Sequence, residues 1–203
     1  TETKENHEIS GVTVDGFTFK GGLREQDIGG AGAYLHKLDN TCRISNCRFI
    51  DNVAKSMAGG VCVIHSSVVI ENCEFINNST AGLHDKNDWE SGGGGLYAVH
   101  CDGTRVVNCR FSGNASAFSG GGALVRITQE KPVEFVHCEF IQNEARAEDN
   151  NARGGGGLFA LNAQVIVRDC RFEGNASSSR GGGLMINNKA EYLIENCLFQ
   201  GNS

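Results

Sequence analysis

The string Cys-x-Phe-x-x-Asn occurs six times and restricts what this chain can fold into more than any other feature. The copies are Cys47/Phe49/Asn52, Cys73/Phe75/Asn78, Cys109/Phe111/Asn114, Cys138/Phe140/Asn143, Cys170/Phe172/Asn175 and Cys197/Phe199/Asn202. A degenerate seventh precedes them in "VDGFTFKGG", with Phe17, Phe19 and Gly22 in the three columns. Successive cysteines lie 26, 36, 29, 32 and 27 residues apart, so the unit is constant and the spacing absorbs insertions. A glycine cluster and an apolar run follow each Asn, as in "GGVCVI" (59–64), "GGGGLYAV" (92–99) and "GGGGLFAL" (154–161). A β-branched stretch then enters the next Cys, as in "SSVVIENC" (66–73) and "AQVIVRDC" (163–170).

A unit this short cannot bury its own apolar side, so copies must stack and place equivalent residues in ladders. Helical periodicity is absent, and short Val/Ile/Phe runs between Gly and Asn read as strands. The expected fold is all-β: a parallel β-helix of about seven rungs, three short strands each, forming one domain over 1–203. At the usual spacing of about 4.7–4.9 Å between strands, the stack is roughly 30 Å long.

Glycine appears 28 times, about twice its usual share of roughly 7%, without a collagen-like period, so it must serve turns or close packing. The net charge of −6 provides no basic stripe and argues against a nucleic-acid partner. No apolar run approaches the ~18–20 residues of a transmembrane helix. The opening "TETKENHE" lacks the apolar stretch of a signal peptide. The chain begins inside a rung and stops at "FQGNS" (199–203) with no visible cap, so it is expected to be a fragment of a longer solenoid or surface protein, or to have ends sealed by partners.

The repeated "FIDN", "FINN", "FSGN", "FIQN", "FEGN" and "FQGN", alternating with GGA or GGG before Ile, Leu or Val, resemble the repeats of chlamydial polymorphic outer-membrane proteins. They also resemble the broader right-handed parallel β-helix family of bacterial surface proteins, which shares its fold with pectate lyases. The resemblance covers residues 12–203 and implies a right-handed solenoid at the cell surface or outside the cell, associated with a bacterial outer membrane. It does not choose among functions, because this fold hosts adhesins, lyases and hydrolases alike.

Cys and Phe two apart on a strand face the same side. Six aligned thiols read as a stack of small buried hydrophobes rather than a redox or metal ladder. Disulfides within the column are disfavoured, since parallel side chains keep the Cβ atoms near the strand spacing, beyond the ~3.8 Å mean of a bridge. Cys42, Cys62 and Cys101 lie outside the column, paired or free. The Asn column reads as turn residues that tolerate left-handed backbone and bond one another along the axis. Asn78, Asn114 and Asn175 sit in N-x-[ST] strings, but a buried ladder makes a poor glycan acceptor. The glycine clusters precede strands, not helices, which excludes a phosphate-binding loop.

After each glycine cluster two alternate columns are apolar: Val61/Leu96/Leu124/Leu158/Leu184 and Cys62/Tyr97/Val125/Phe159/Met185. Only one can point inward. The expectation is that the Leu column is inside and the Tyr97/Phe159 column forms an exposed stripe for docking.

Function is sought where the repeat breaks, because insertions in solenoids cluster on a variable face. "STAGLHDKNDWES" (79–91) and "EARAEDNNAR" (144–153) are long, polar and at the same corner of the third and fifth rungs. Their bases should lie roughly 10 Å apart. The candidate binding residues are His84, Asp85, Lys86, Asp88, Trp89, Glu90, Arg146, Glu148, Asp149 and Arg153. Trp89, the single Trp, could stack on a sugar, anchor a partner or fold back over the edge. No cofactor is required, although the acids could hold Ca²⁺ through carboxylate oxygens. The expected role is a non-catalytic stalk or adhesin-like module that binds a glycan or a cell-surface protein. Resemblance to lyases implies an alternative, a polysaccharide lyase or glycoside hydrolase fragment, with Asp85 and Asp88 on Ca²⁺ and Lys86, Arg146 or Arg153 as base. A third alternative is a subunit of a larger cell-envelope assembly.

Overall fold

A computed structural model describes residues 8–26, 29–82, 91–146, 154–187 and 191–203. Every paired strand in it is parallel to its neighbours, and the strands form four sheets. Sheet I runs from Thr13–Asp15 to Tyr192–Glu195 and sheet II from Thr18–Lys20 to Leu198–Gln200, each with seven strands. Sheet III, from Leu23–Arg24 to Ala176–Ser177, and sheet IV, from Ala33–His36 to Leu184–Asn187, have six each. The chain visits I, II, III and IV in turn, giving six full turns and half of a seventh. The three strands expected per rung are therefore four. Sheet III escaped the sequence pattern because its strands are two residues long, too short to show alternation.

The Phe column is the inner wall of sheet II. Phe49, Phe75, Phe111, Phe140 and Phe172 are fully buried, and successive rings stack nearly parallel at 4.5–5.1 Å. Ile44, Ile70, Val106 and Phe135 line sheet I opposite them. Gly95 lies against this wall: a Cβ there would sit 3.1 Å from a Phe111 ring carbon and 2.6 Å from the Gly122 carbonyl, so only hydrogen fits.

All nine cysteines are free, Cys42, Cys62 and Cys101 included. The column thiols donate to main-chain carbonyls, as Cys47 does to Ser45 at 3.1 Å. Burial pushes the Cys109 and Cys138 thiols well up, and those of Cys62 and Cys101 up to about 12, so these sulfurs stay protonated and inert.

The ladder asparagines at the II–III corner are buried. Each side-chain amide donates to the next Oδ1 at 2.9–3.0 Å, from Asn52 through Asn78, Asn114, Asn143 and Asn175 to Asn202. The second amide hydrogen goes to a Phe carbonyl one rung back, as from Asn114 to Phe75. One expectation needs correction here: the left-handed residue is the one before each ladder Asn, namely Asp51, Asn77, Gly113, Gln142, Gly174 and Gly201. The ladder Asn supplies hydrogen bonds and its neighbour supplies the turn.

Sheet IV brings two further corrections. The register is Val61–Leu96–Ala123–Leu158–Leu184 for one column and Cys62–Tyr97–Leu124–Phe159–Met185 for the next. Leu124 thus belongs with Tyr97, and Val125 with the inner residues Ala98 and Val63. The second column is also not an exposed stripe. Cys62, Tyr97, Leu124 and Phe159 are buried in a separate cluster with Met57, Ala58, Val99 and Leu161. The glycine segments entering sheet IV fold flat over this outer column. A Cβ at Gly92 would stand 2.7 Å from Leu124 Cδ2, and one at Gly155 would stand 2.7 Å from Phe159 Cβ. Side chains in the covering segment would hold it off, so glycine is what closes the second core.

The outer faces of sheets I and II carry charge that alternates by rung. Arg43 and Arg48 occupy the second rung, Glu71 and Glu74 the third, Arg105 and Arg110 the fourth, and Glu134 and Glu139 the fifth. Ion pairs join them at 3.6 Å (Arg43–Glu71), 2.7 Å (Arg48–Glu74), 3.1 Å (Arg105–Glu134) and 3.9 Å (Arg110–Glu139). Arg168 and Glu195 repeat the step between the sixth and seventh rungs at 2.7 Å.

Candidate functional site

The bases of the two inserts stand where the repeat count places them. Ser79–Thr80 and Glu144–Ala145 flank Ala115–Ser116 in sheet III, with Ser79, Ala115 and Glu144 in register. The two departures are thus two strand steps apart along one edge. Of the candidate residues, His84, Asp85, Lys86, Asp88, Trp89, Glu90, Glu148, Asp149 and Arg153 lie outside the described residues. Arg146 is described and exposed, and its guanidinium pairs with the Glu144 carboxylate at 2.6 Å. The pair holds Glu144 below the usual carboxylate range and pushes Arg146 further up. A general base must give up its proton, and Glu144 opposes that at Arg146. Among the described residues no group of three or more His, Cys, Asp or Glu could hold a metal ion.

A second concave feature went unnoticed in the sequence. Between sheets IV and I the chain turns through a left-handed residue in five rungs among the described residues: Lys37, His65, His100, Ile127 and Asn162. A pocket of about 420 Å³ opens there, lined by Glu8, Lys37, His65, Ser66, Ser67, His100 and Asp102. The His65 and His100 rings stack in parallel with centroids 4.7 Å apart, and His36 meets His65 edge-on at 6.1 Å. The surrounding polar groups are fixed. Ser66 Oγ donates to the Ile64 carbonyl at 2.8 Å and accepts from Leu38 N–H at 3.1 Å. Asp102 Oδ1 accepts from the N–H groups of Gln129 and Glu130 at 2.7 and 3.3 Å. Behind His100, Arg126 donates to the Tyr97 hydroxyl at 3.2 Å.

The His100 imidazole is held below its ordinary value, first by burial, then by His65 and Arg126, with Asp102 acting in the opposite sense. The signal for this pocket was present in the sequence. It is the residue directly after each strand of sheet IV, in "AYLHK" (33–37), "VCVIH" (61–65) and "LYAVH" (96–100). Those histidines lie in the repeated part of the rung, where function was not sought.

Comparison with known proteins gives one match. The family model described as the right-handed β-helix region matches residues 31–203. No curated protein and no solved structure matches the chain.

Proposed function

The chain belongs to the right-handed β-helix family, and from that premise we propose that it is a rigid, non-catalytic module outside the cell that binds a glycan or a protein. The observation that carries this reading is the common origin of the two non-repeated segments. Both leave the solenoid from sheet III, on strands held in register through Ala115–Ser116. A stiff ladder from which two long polar inserts start along one line is a scaffold for presenting contacts, and recognition residues are commonly carried on such a scaffold. Trp89 and its charged neighbours supply the residue types that stack on sugars or anchor partners. Placement at a bacterial cell surface, with a likeness to chlamydial surface repeats, belongs to the same proposal.

A glycan array probed with the purified chain tests it. The expected result is binding without turnover, lost in Trp89→Ala. Shortening of an acidic glycan that disappears in Lys86→Ala or Arg146→Ala would replace the binding module with a polysaccharide lyase. A chain that stays in solution only with a partner protein would favour a subunit of an envelope assembly.

A further inference from the structure

We propose that the His65–His100 pocket binds a sugar carrying an oxyanion, and that acidification switches this binding on. The proposal rests on the glycan-binding reading above and assigns it a second site, away from the inserts. Two imidazoles stacked at 4.7 Å share one wall of the pocket. With both neutral, Lys37 in the lining and Arg126 behind it only balance the two carboxylates, Glu8 and Asp102, so the pocket holds no surplus positive charge for an oxyanion. Acid charges imidazoles selectively, since theirs is the side chain that titrates between pH about 5 and 8. Cations then outnumber anions, and the two imidazoliums repel one another across the stack. An oxyanion seated against both rings relieves that repulsion and is the ligand the charged pocket favours.

The other charged or titratable groups near the pair are His36 beside His65 and Arg126 behind His100. Arg126 is cationic at either pH and His36 lies beside the pair, so neither offsets the preference of the charged pair for an anion. Arg126 is anchored by the Tyr97 hydroxyl and Asp102 by two N–H groups, so neither needs to reorganise when a ligand arrives. The volume, about 420 Å³, is in the range of roughly 300–1,000 Å³ that holds small organic ligands, more than an inorganic oxyanion fills. The Ser67 hydroxyl and the Glu8 carboxylate, both in the lining, suit the hydroxyls of a sugar.

The backbone favours this reading. His65 and His100 adopt φ of 47° and 52°, where Asn and Gly are the residues of least strain. Asn46, Asn72 and Asn108 fill the equivalent position at the I–II corner. Asparagine is accordingly the replacement that removes both imidazoles and keeps the turns.

The experiment titrates glucose 6-sulfate, glucose and inorganic sulfate into the wild-type chain and into a His65→Asn/His100→Asn double variant, at pH about 5.5 and about 7.5. Calorimetry reads affinity, and NMR of the imidazole ring protons reads their titration. The sugar sulfate should bind at least about tenfold more tightly at the lower pH and should raise the His100 midpoint, because a ligand that prefers the protonated form holds the proton. The double variant should lose that binding while melting as the wild type does at the higher pH. Equal affinity at both pH values, binding kept in the folded double variant, or no binding of any probe would overturn the proposal. Glucose binding as tightly as its sulfate, or inorganic sulfate as tightly as the sugar sulfate, would overturn the assignment to an anionic sugar. Array ligands lost only in Trp89→Ala would leave the module reading intact while this pocket fails.

Discussion

Two corners of the solenoid meet the same demand in different ways. The II–III corner repeats one amide in six rungs, from Asn52 to Asn202. From Asn52 to Asn175 each ladder Asn donates both to the next Asn and to a Phe carbonyl while its oxygen accepts, so a change in one rung strands groups in its neighbours. The IV–I corner also turns through left-handed backbone, in five rungs among the described residues, yet it does so with Lys37, His65, His100, Ile127 and Asn162. The identity of the side chain there is free of the ladder. The contrast teaches where chemistry can be placed on such a fold: at turns whose backbone repeats while the residue type changes from rung to rung.

The largest effect tests the shared core beneath both corners. Phe111 is fully buried between the rings of Phe75 and Phe140. Phe111→Asp places an unpaired charge in that stack and should abolish cooperative unfolding seen by circular dichroism. A folded Asp variant would show that the Phe column is not the inner wall.

A smaller effect sharpens the comparison itself. Asn114→Ala removes acceptors for Asn78 N–H and Nδ2 and donors to Phe75 and Asn143. The expected cost in urea unfolding is about 3 kcal/mol, the scale for leaving several buried groups unpaired. Asn72→Ala, at an exposed left-handed turn, should cost about 1 kcal/mol. Equal losses would erase the distinction between ladder and turn asparagines.

The smallest effect concerns acid. Because the His100 value is lowered in the folded state, its contribution to stability is present above its ordinary value of 6.5 and is lost as pH falls through the lowered one. His100→Asn should therefore flatten the melting temperature between pH about 7 and 5, where the wild type declines. An unchanged slope would remove His100 as a source of acid sensitivity.

Much of the fold was legible because a period is visible even when single elements are not. Phe49, Phe75 and Phe111 recur at one offset from Cys and from Asn, and that alone fixes one strand, its inward face and the corner after it. The sheet IV register was misjudged because "GGGALV" carries Ala123 where other rungs carry Val61, Leu96 or Leu158, so matching on leucine slipped Leu124 inward by one. The second core stayed hidden because its cover is glycine backbone, which has no hydrophobic signature. The histidine pocket combines residues of three rungs, brought together by stacking and not by sequence proximity.

The alternation of Arg and Glu on the outer faces bears on how such a chain can change in length. Each pair is exposed and contributes at most about 1 kcal/mol, so the stripes do little to hold the rod together. They do label the rungs as odd or even. A rung removed singly would set Arg48 against Arg110, or Glu74 against Glu139, along the sheet II column, and one duplicated singly would set a charge against its own copy. A pair of rungs gained or lost would keep Arg and Glu alternating along the sheet II column from Arg48 to Arg171. The surface thus favours growth and contraction of the solenoid in steps of two.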